Sequence, residues 1–289
     1  MRLIIIIAIL LTSLIPVSGF QWPVTDVVIV STFGESEFDQ FVKGIDIGGE
    51  TQDISPIDSG ELVFYSSPGT SSLDIPSGLG TYVIYQHRNG IRSLYGHLED
   101  GSVNIDQEKI DLSDKIGKMG SSGRTVGTML HLQVIDIEFE KYINPLFSLP
   151  LLIDVSKPII DEVYLITEEG KKEISSGEII NSGVFGLSAD IRDLSEDADY
   201  YCPVSPFSIS LFINGENLAN IDFESLKIKD DKMILQELEG ISHDDLYRDE
   251  WEFYLGEFEL NPGDVMIEIS VKDFAGNEGV KFFPLKIIE

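Results

Sequence analysis

A chain of 289 residues with 43% apolar residues has enough material for two cores, and its formal charge of −30 sets up a field that repels phosphate backbones and anionic lipid. Nucleic-acid binding is thereby excluded as a function class. The acidic residues are scattered rather than run together, the pattern of a solvated surface and not of an acidic tail.

At the start, Met1-Arg2 precedes an apolar run from Leu3 to Ile15 and then Pro-Val-Ser-Gly, the three parts of an export signal. Removal is expected after Gly19, making 1–19 the signal. The run is shorter than the roughly 18 to 20 apolar residues that span a bilayer, and no later stretch is longer. The mature chain is therefore expected outside the cytoplasm, in the periplasm, the cell envelope or the medium, with no transmembrane segment. Loss of Arg2 leaves 19 basic against 50 acidic residues, a charge of −31.

Beyond the signal, Gly and Pro punctuate short runs rich in Val, Ile, Phe and Tyr, and no long segment keeps apolar residues at helical spacing. This predicts an all-β protein. Strands are predicted near 44–47, 61–66, 82–87, 92–97 and 131–137. The character changes after Asn144-Pro145-Leu146, and Pro150 to Pro158 is read as a linker. Alternation then sharpens, with Phe207, Ile209, Leu211 and Ile213 on one face and Val265, Ile267, Ile269 and Val271 on another. Asn214-Gly215 supplies a tight hairpin turn, and Asp273-Phe-Ala-Gly-Asn277 sits where a second turn is needed. A β-sandwich over 158–289 is expected. Its single Cys202 can form no internal disulfide.

Several short motifs occur in order between residues 27 and 149: Ser31-Thr-Phe-Gly34, Phe41-Val-Lys-Gly-Ile-Asp46-Ile, Gly80-Thr-Tyr-Val-Ile-Tyr-Gln-His87, Tyr95-Gly-His97-Leu, and Gly120-Ser-Ser-Gly-Arg-Thr-Val-Gly-Thr-Met-Leu-His131-Leu-Gln-Val. Together they resemble the M23 (lysostaphin/LytM-type) cell-wall metallopeptidases. The approach Lys115-Ile-Gly-Lys-Met-Gly120 matches only partly, since Asp114 stands at a position often held by glycine. The second half is similar, through its D-x-A-G-N turn, to bacterial immunoglobulin-like or fibronectin-like modules.

The resemblance implies a zinc held by the histidine of H-x-x-x-D, by its aspartate and by the second histidine of H-x-H, with a water in the open position. Two further histidines would orient that water and stabilise the oxyanion. Carried across, the ligand positions are Val42, Asp46 and His131, and the catalytic pair is His97 and Met129. Valine offers no lone pair, and the Met129 thioether moves no proton. Losing one such oxyanion stabiliser commonly lowers the rate roughly 100- to 1000-fold. No cofactor, or weakly bound zinc, is expected at Asp46 and His131.

The remaining candidates carry less chemistry. His87 aligns with a histidine outside the metal shell in family members, and it and Asp39 are the residues considered for a substitute ligand. Gln133 replaces the glutamate usual after H-x-H and is read as either a groove or a surface strand position. His243, beside Asp244 and Asp245, is read as an exposed loop residue. Asp190, Asp193, Glu196, Asp197 and Asp199 together could offer oxygen ligands to calcium but lack the spacing of a dedicated loop. The expected function is a catalytically inactive M23-like protein that binds peptidoglycan or an envelope protein. The alternative is an active zinc endopeptidase cutting cross-bridge peptides; a structural envelope protein dominated by the sandwich is a third reading.

Overall fold

The computed structural model describes residues 19–68, 77–194, 202–235 and 240–289. The signal segment 1–18 and Glu196, Asp197 and Asp199 lie outside the described residues. In the first half the strands are β1 (Val28–Ser31), β2 (Ser36–Glu37), β3 (Gln40–Phe41), β4 (Ile45–Gly48), β5 (Asp53–Ile54) and β6 (Gly60–Ser66). They continue as β7 (Thr81–Gln86), β8 (Ile91–Leu98), β9 (Lys109–Ile110), β10 (Gly117–Lys118), β11 (Met129–Asp136) and β12 (Lys141–Ile143). No helix of the described residues is long and apolar enough to cross a membrane.

Burial at period two explains these strands. In β7, Thr81, Val83 and Tyr85 are buried while their neighbours are half-exposed, and in β11 Leu130, Leu132 and Val134 go to the core. They meet Ile45 and Ile47 of β4 and Tyr95 of β8 in one apolar cluster. Tyr85 and Tyr95 pack edge to face at 6.1 Å, and the Tyr95 hydroxyl accepts the Ile57 N–H at 2.8 Å. The odd residues of β11, which include His131 and Gln133, are left for the opposite face.

The second half contains β13 (Ile159–Thr167), β14 (Gly170–Glu173), β15 (Ile179–Asn181), β16 (Gly183–Leu194), β17 (Pro203–Val204), β18 (Ser208–Ile213) and β19 (Glu216–Asp222). It goes on with β20 (Ser225–Lys229), β21 (Lys232–Leu235), β22 (Ile241–Ser242), the one-turn α1 (His243–Leu246), β23 (Glu252–Leu260), β24 (Gly263–Lys272) and β25 (Glu278–Ile288). Two sheets form a sandwich: β14-β13-β16-β17 with β23 on β16, and β15-β25-β24-β18-β19. All their pairs are antiparallel except β15 with β25. Asn214 and Gly215 both have positive φ, 52° and 81°, as a type I′ turn between β18 and β19 requires.

The two halves share secondary structure in a way their sequence pattern does not announce. β20, β21 and β22 do not join the sandwich; β20 pairs with β12 and extends the first half's sheet to the order β22-β21-β20-β12-β11-β8-β7-β6-β9. Asn144 clamps this join, its N–H donating to the Glu224 carbonyl at 2.9 Å and its Nδ2 to the Phe223 carbonyl at 3.0 Å. Phe33 and Phe41 of the first half and Phe223 of the second enter the sandwich core.

Glu35 is the polar counterpart of that join. Its carboxylate accepts from the Ser31 hydroxyl (2.5 Å), the Thr32 N–H (2.8 Å), the Thr32 hydroxyl (2.9 Å) and, across the junction, the Ser205 N–H (2.9 Å). Burial outweighs these donors and pushes the carboxyl up to about 7. Between the ordinary value of 4.5 and about 7 the unfolded chain has lost this proton and the folded chain has kept it. Stability should therefore fall as pH rises through that window, by on the order of 3 kcal/mol for this residue. Denaturant midpoints of wild type and Glu35→Gln, compared at pH 5 and pH 8, check this: the wild type should lose more stability than the variant.

Candidate functional site

The chain around residues 40–48 and 129–133 is folded so that its polar side chains converge. β4 and β11 are antiparallel neighbours in a register that sets His131 directly opposite Asp46, and β8 sets Gly96 opposite His131 from the other side. His97, the next residue of β8, adopts φ +62°, an uncommon conformation for a residue with a Cβ. Two bonds hold it there: its N–H donates to the Leu79 carbonyl (2.8 Å) and its Nδ1 to the Ser122 carbonyl (2.9 Å). Strain of this kind persists where the surroundings over-determine it. The His97 and His131 rings meet edge to face at 5.9 Å.

Asp46, His97 and His131 each place one potential ligand atom within 4.8 Å of the others. How the atoms are already used decides what the group can do. His131 Nδ1 donates to Asp46 Oδ1 at 2.7 Å, and Gln133 Nε2 donates to His131 Nε2 at 2.9 Å. Both ring nitrogens of His131 are thus in hydrogen bonds. Two zinc ligands with bonds of about 2.0 to 2.1 Å in a tetrahedron stand about 3.3 Å apart, so a metal shared by Asp46 and His131 would have to part this 2.7 Å contact. Burial lowers the His97 pKa, the Ser122 carbonyl and Asp46 opposing it and His131 adding to it.

Val42 and Met129 stand in the same groove. Val42 is 5% exposed and its backbone is fixed, the N–H donating to the Glu35 carbonyl and the carbonyl accepting from the Gly34 N–H, each at 2.8 Å. Met129 opens β11, its N–H on the Gly120 carbonyl at 2.9 Å. The residues present therefore do not fit the three-ligand zinc of the resemblance: one donor is missing, and the two that remain are bonded to each other.

The groove itself is long, about 1600 Å³, and extends well past these residues. Asp26, Glu37, Glu50 and Glu250 lie along it against Lys43 and Arg124. Burial and Asp46 raise the Glu37 pKa, while His131 and Arg124 hold it back. At one rim the Arg124 guanidinium sits over the Phe38 ring, 4.7 Å from its centroid.

The other sequence candidates fall outside this arrangement. His87 lines no part of the groove; Nε2 bonds the Ser93 hydroxyl (2.6 Å), Nδ1 bonds the Ser59 carbonyl (3.0 Å), and the ring packs near Phe20. Asp39 is an exposed residue of the β2–β3 turn with φ +58°. His243 is not an exposed loop residue. It opens α1, bonds the Ser36 hydroxyl through Nε2 at 2.8 Å, meets the Phe41 edge and stacks on Tyr247. The sequence places it beside two acids, but it is the fold's junction that buries it.

Gln133, read as either groove or surface, is 8% exposed and fixes the His131 tautomer. The acidic group also divides differently from its sequence order. Asp190 pairs in register with Glu252, whereas Asp193 meets Asp154 and Asp273. Ser122 and Leu79, which hold His97 through backbone carbonyls, left no mark in the sequence because any residue type carries that group.

No curated protein matches the chain. A chain of the SpoIIQ–SpoIIIAH pore-forming complex is similar at 24% identity, covering 45% of this chain and 90% of that one, with a TM-score of 0.37. A point mutant of the catalytic domain of the prophage-encoded M23 protein EnpA from Enterococcus faecalis is similar at 22% identity over 42% of this chain and 90% of that one, TM-score 0.35. Lysostaphin in solution is similar at 12% identity over 89% of this chain and 87% of that one, TM-score 0.36. Residues 40–145 match Peptidase family M23, and this part of the chain is an M23-type domain.

Proposed function

We propose that this protein is exported and that its M23-type domain binds peptides of the cell wall in the groove without hydrolysing them. The observation that carries the reading is the state of His131. With Nδ1 on Asp46 and Nε2 on Gln133, His131 has no ring nitrogen left to hold a metal, and Val42 and Met129 stand in place of donors. What the domain keeps is a long acidic channel, suited to an extended peptide that carries amines. The immunoglobulin-like sandwich, joined through β12 and β20, adds Glu250 to the channel's lining from the loop before β23.

Co-sedimentation with purified peptidoglycan tests this. The protein should pellet equally in chelator and in zinc, and should release no soluble fragments. Glu50→Lys, a change on the groove lining, should weaken binding by about tenfold or more through lost complementarity. Binding that needs zinc, or that ignores the charge reversal, contradicts the proposal.

A second reading, an active zinc endopeptidase, is favoured by one observation, the approach of Asp46, His97 and His131 to within 4.8 Å. It requires His97 to serve as a ligand and the Asp46–His131 bond to break. Release of peptide fragments in zinc would establish it.

A further inference from the structure

β1 has two faces: Val28 and Val30 line the groove, while Ile29 lines a second cavity behind the strand, of about 110 Å³. Trp22, Phe33, Phe207 and Phe274 are the aromatic residues of its lining. Three carboxylates from separate parts of the chain also line it: Asp154 in the linker, Asp193 near the end of β16, and Asp273 in the turn between β24 and β25. One oxygen of each lies within 4.8 Å of the others.

Asp273 is 3% exposed and firmly held, accepting the Asn277 N–H at 2.8 Å and its Nδ2 at 2.7 Å. The same Nδ2 donates to the Asp154 carbonyl at 3.1 Å, which brings the linker to the turn. Asp193 is different. Only 5% of it is exposed, its Oδ1 accepts nothing but the N–H of its neighbour Leu194 at 2.9 Å, and its Oδ2 has no donor among the described residues. Neither Asp193 nor Asp273 has a Lys, Arg or His partner among the described residues. Burial, opposed by the Leu194 N–H and reinforced by Asp273 and Asp154, pushes the Asp193 carboxyl up to about 7.

Buried carboxylates this close are neutralised either by protons or by a cation held between them, and two of these three are buried. The donor set is all oxygen, and half-exposed Asp154 leaves one side open to waters that would complete six to eight ligands. That chemistry suits a hard cation with flexible coordination, and lacks the nitrogen and sulfur that favour zinc. We propose that Asp154, Asp193 and Asp273 form a calcium site that fastens the linker to the sandwich. The site is independent of the groove and of what the groove binds.

The test uses the full mature chain after chelator treatment. Calcium at about 100 times its Kd should raise the unfolding midpoint by about 5 °C or more, and magnesium much less. Terbium, a calcium substitute, should emit when Trp22 is excited and be displaced by calcium. Asp193→Asn should fold, since it removes a buried charge, and should lose both responses. Trp22→Phe should keep the thermal shift and lose the emission, and His131→Ala should keep both. No thermal shift in the wild type, a response that survives in Asp193→Asn, or one that vanishes in His131→Ala would each overturn the proposal.

Discussion

Replacing Val42 and Met129 together by histidine is expected to raise bound zinc from well under one to about one per chain and to give measurable cleavage of cell-wall peptides. Val42 sits on a backbone fixed to Glu35 and Gly34 and lines the groove beside Asp46, so an imidazole there adds a donor without moving the strand. Zinc then displaces the proton between His131 Nδ1 and Asp46 Oδ1, and the Gln133 bond to Nε2 is kept as the support a metal-bound histidine needs. The single variants separate the two roles. Val42→His alone should bind zinc but turn over roughly 100- to 1000-fold more slowly than the double variant, for want of the second histidine near the oxyanion. Met129→His alone should gain no zinc. Elemental analysis and a fragment-release assay read both effects, and a double variant no richer in zinc than wild type would mean that further parts of the site have been lost.

Phe223→Ala should destabilise the protein by about 3–5 kcal/mol, the largest effect expected of any single truncation at the junction. Phe223 is fully buried and lies against Gly34, whose φ of +87° and absent side chain both belong to this contact. A Cβ on Gly34 would fall 2.3 Å from the Phe223 ring, so the ring occupies the space that glycine leaves. The ring also meets Phe253 edge to face at 6.2 Å, and the Phe223 backbone bonds Asn144 and Phe207. One residue therefore packs the first half's opening loop against the sandwich core. Urea unfolding followed by Trp fluorescence should show one transition in wild type, and a lower midpoint with separate transitions of the two halves in the variant. A loss under about 1 kcal/mol would show that the β12–β20 pairing and the polar contacts of Glu35 and Asn144 hold the halves without this ring.

Much of the fold can be read from local pattern. The period-two burial of Thr81, Val83 and Tyr85, and of Leu130, Leu132 and Val134, is visible as alternation, and the Asn214-Gly215 turn follows from the need for positive φ. The join between halves is not legible, because β20 reads like any other short strand and its partner β12 lies some eighty residues earlier. The same distinction holds at the site. Asp46, His97 and His131, each carried by its own motif, lie together in the groove that Val42 and Met129 also line. Glu35, by contrast, becomes a buried four-donor carboxylate only through Ser205, a contact across 170 positions. Gln133 could be read as a lost charge, but its bond to His131 depends on a rotamer that spacing does not specify. Asp193 stands in sequence among Asp190 and the acids that follow it, whereas the tertiary fold sets it beside Asp154 and Asp273.

The most direct test of the central claim is the zinc content of the purified mature protein after exposure to zinc and removal of excess. The hydrogen-bonded state of Asp46, His131 and Gln133 predicts well under one zinc per chain, unchanged in His131→Ala. About one zinc per chain, abolished by His131→Ala, would contradict it and make the groove a metal centre with His97 as its third ligand.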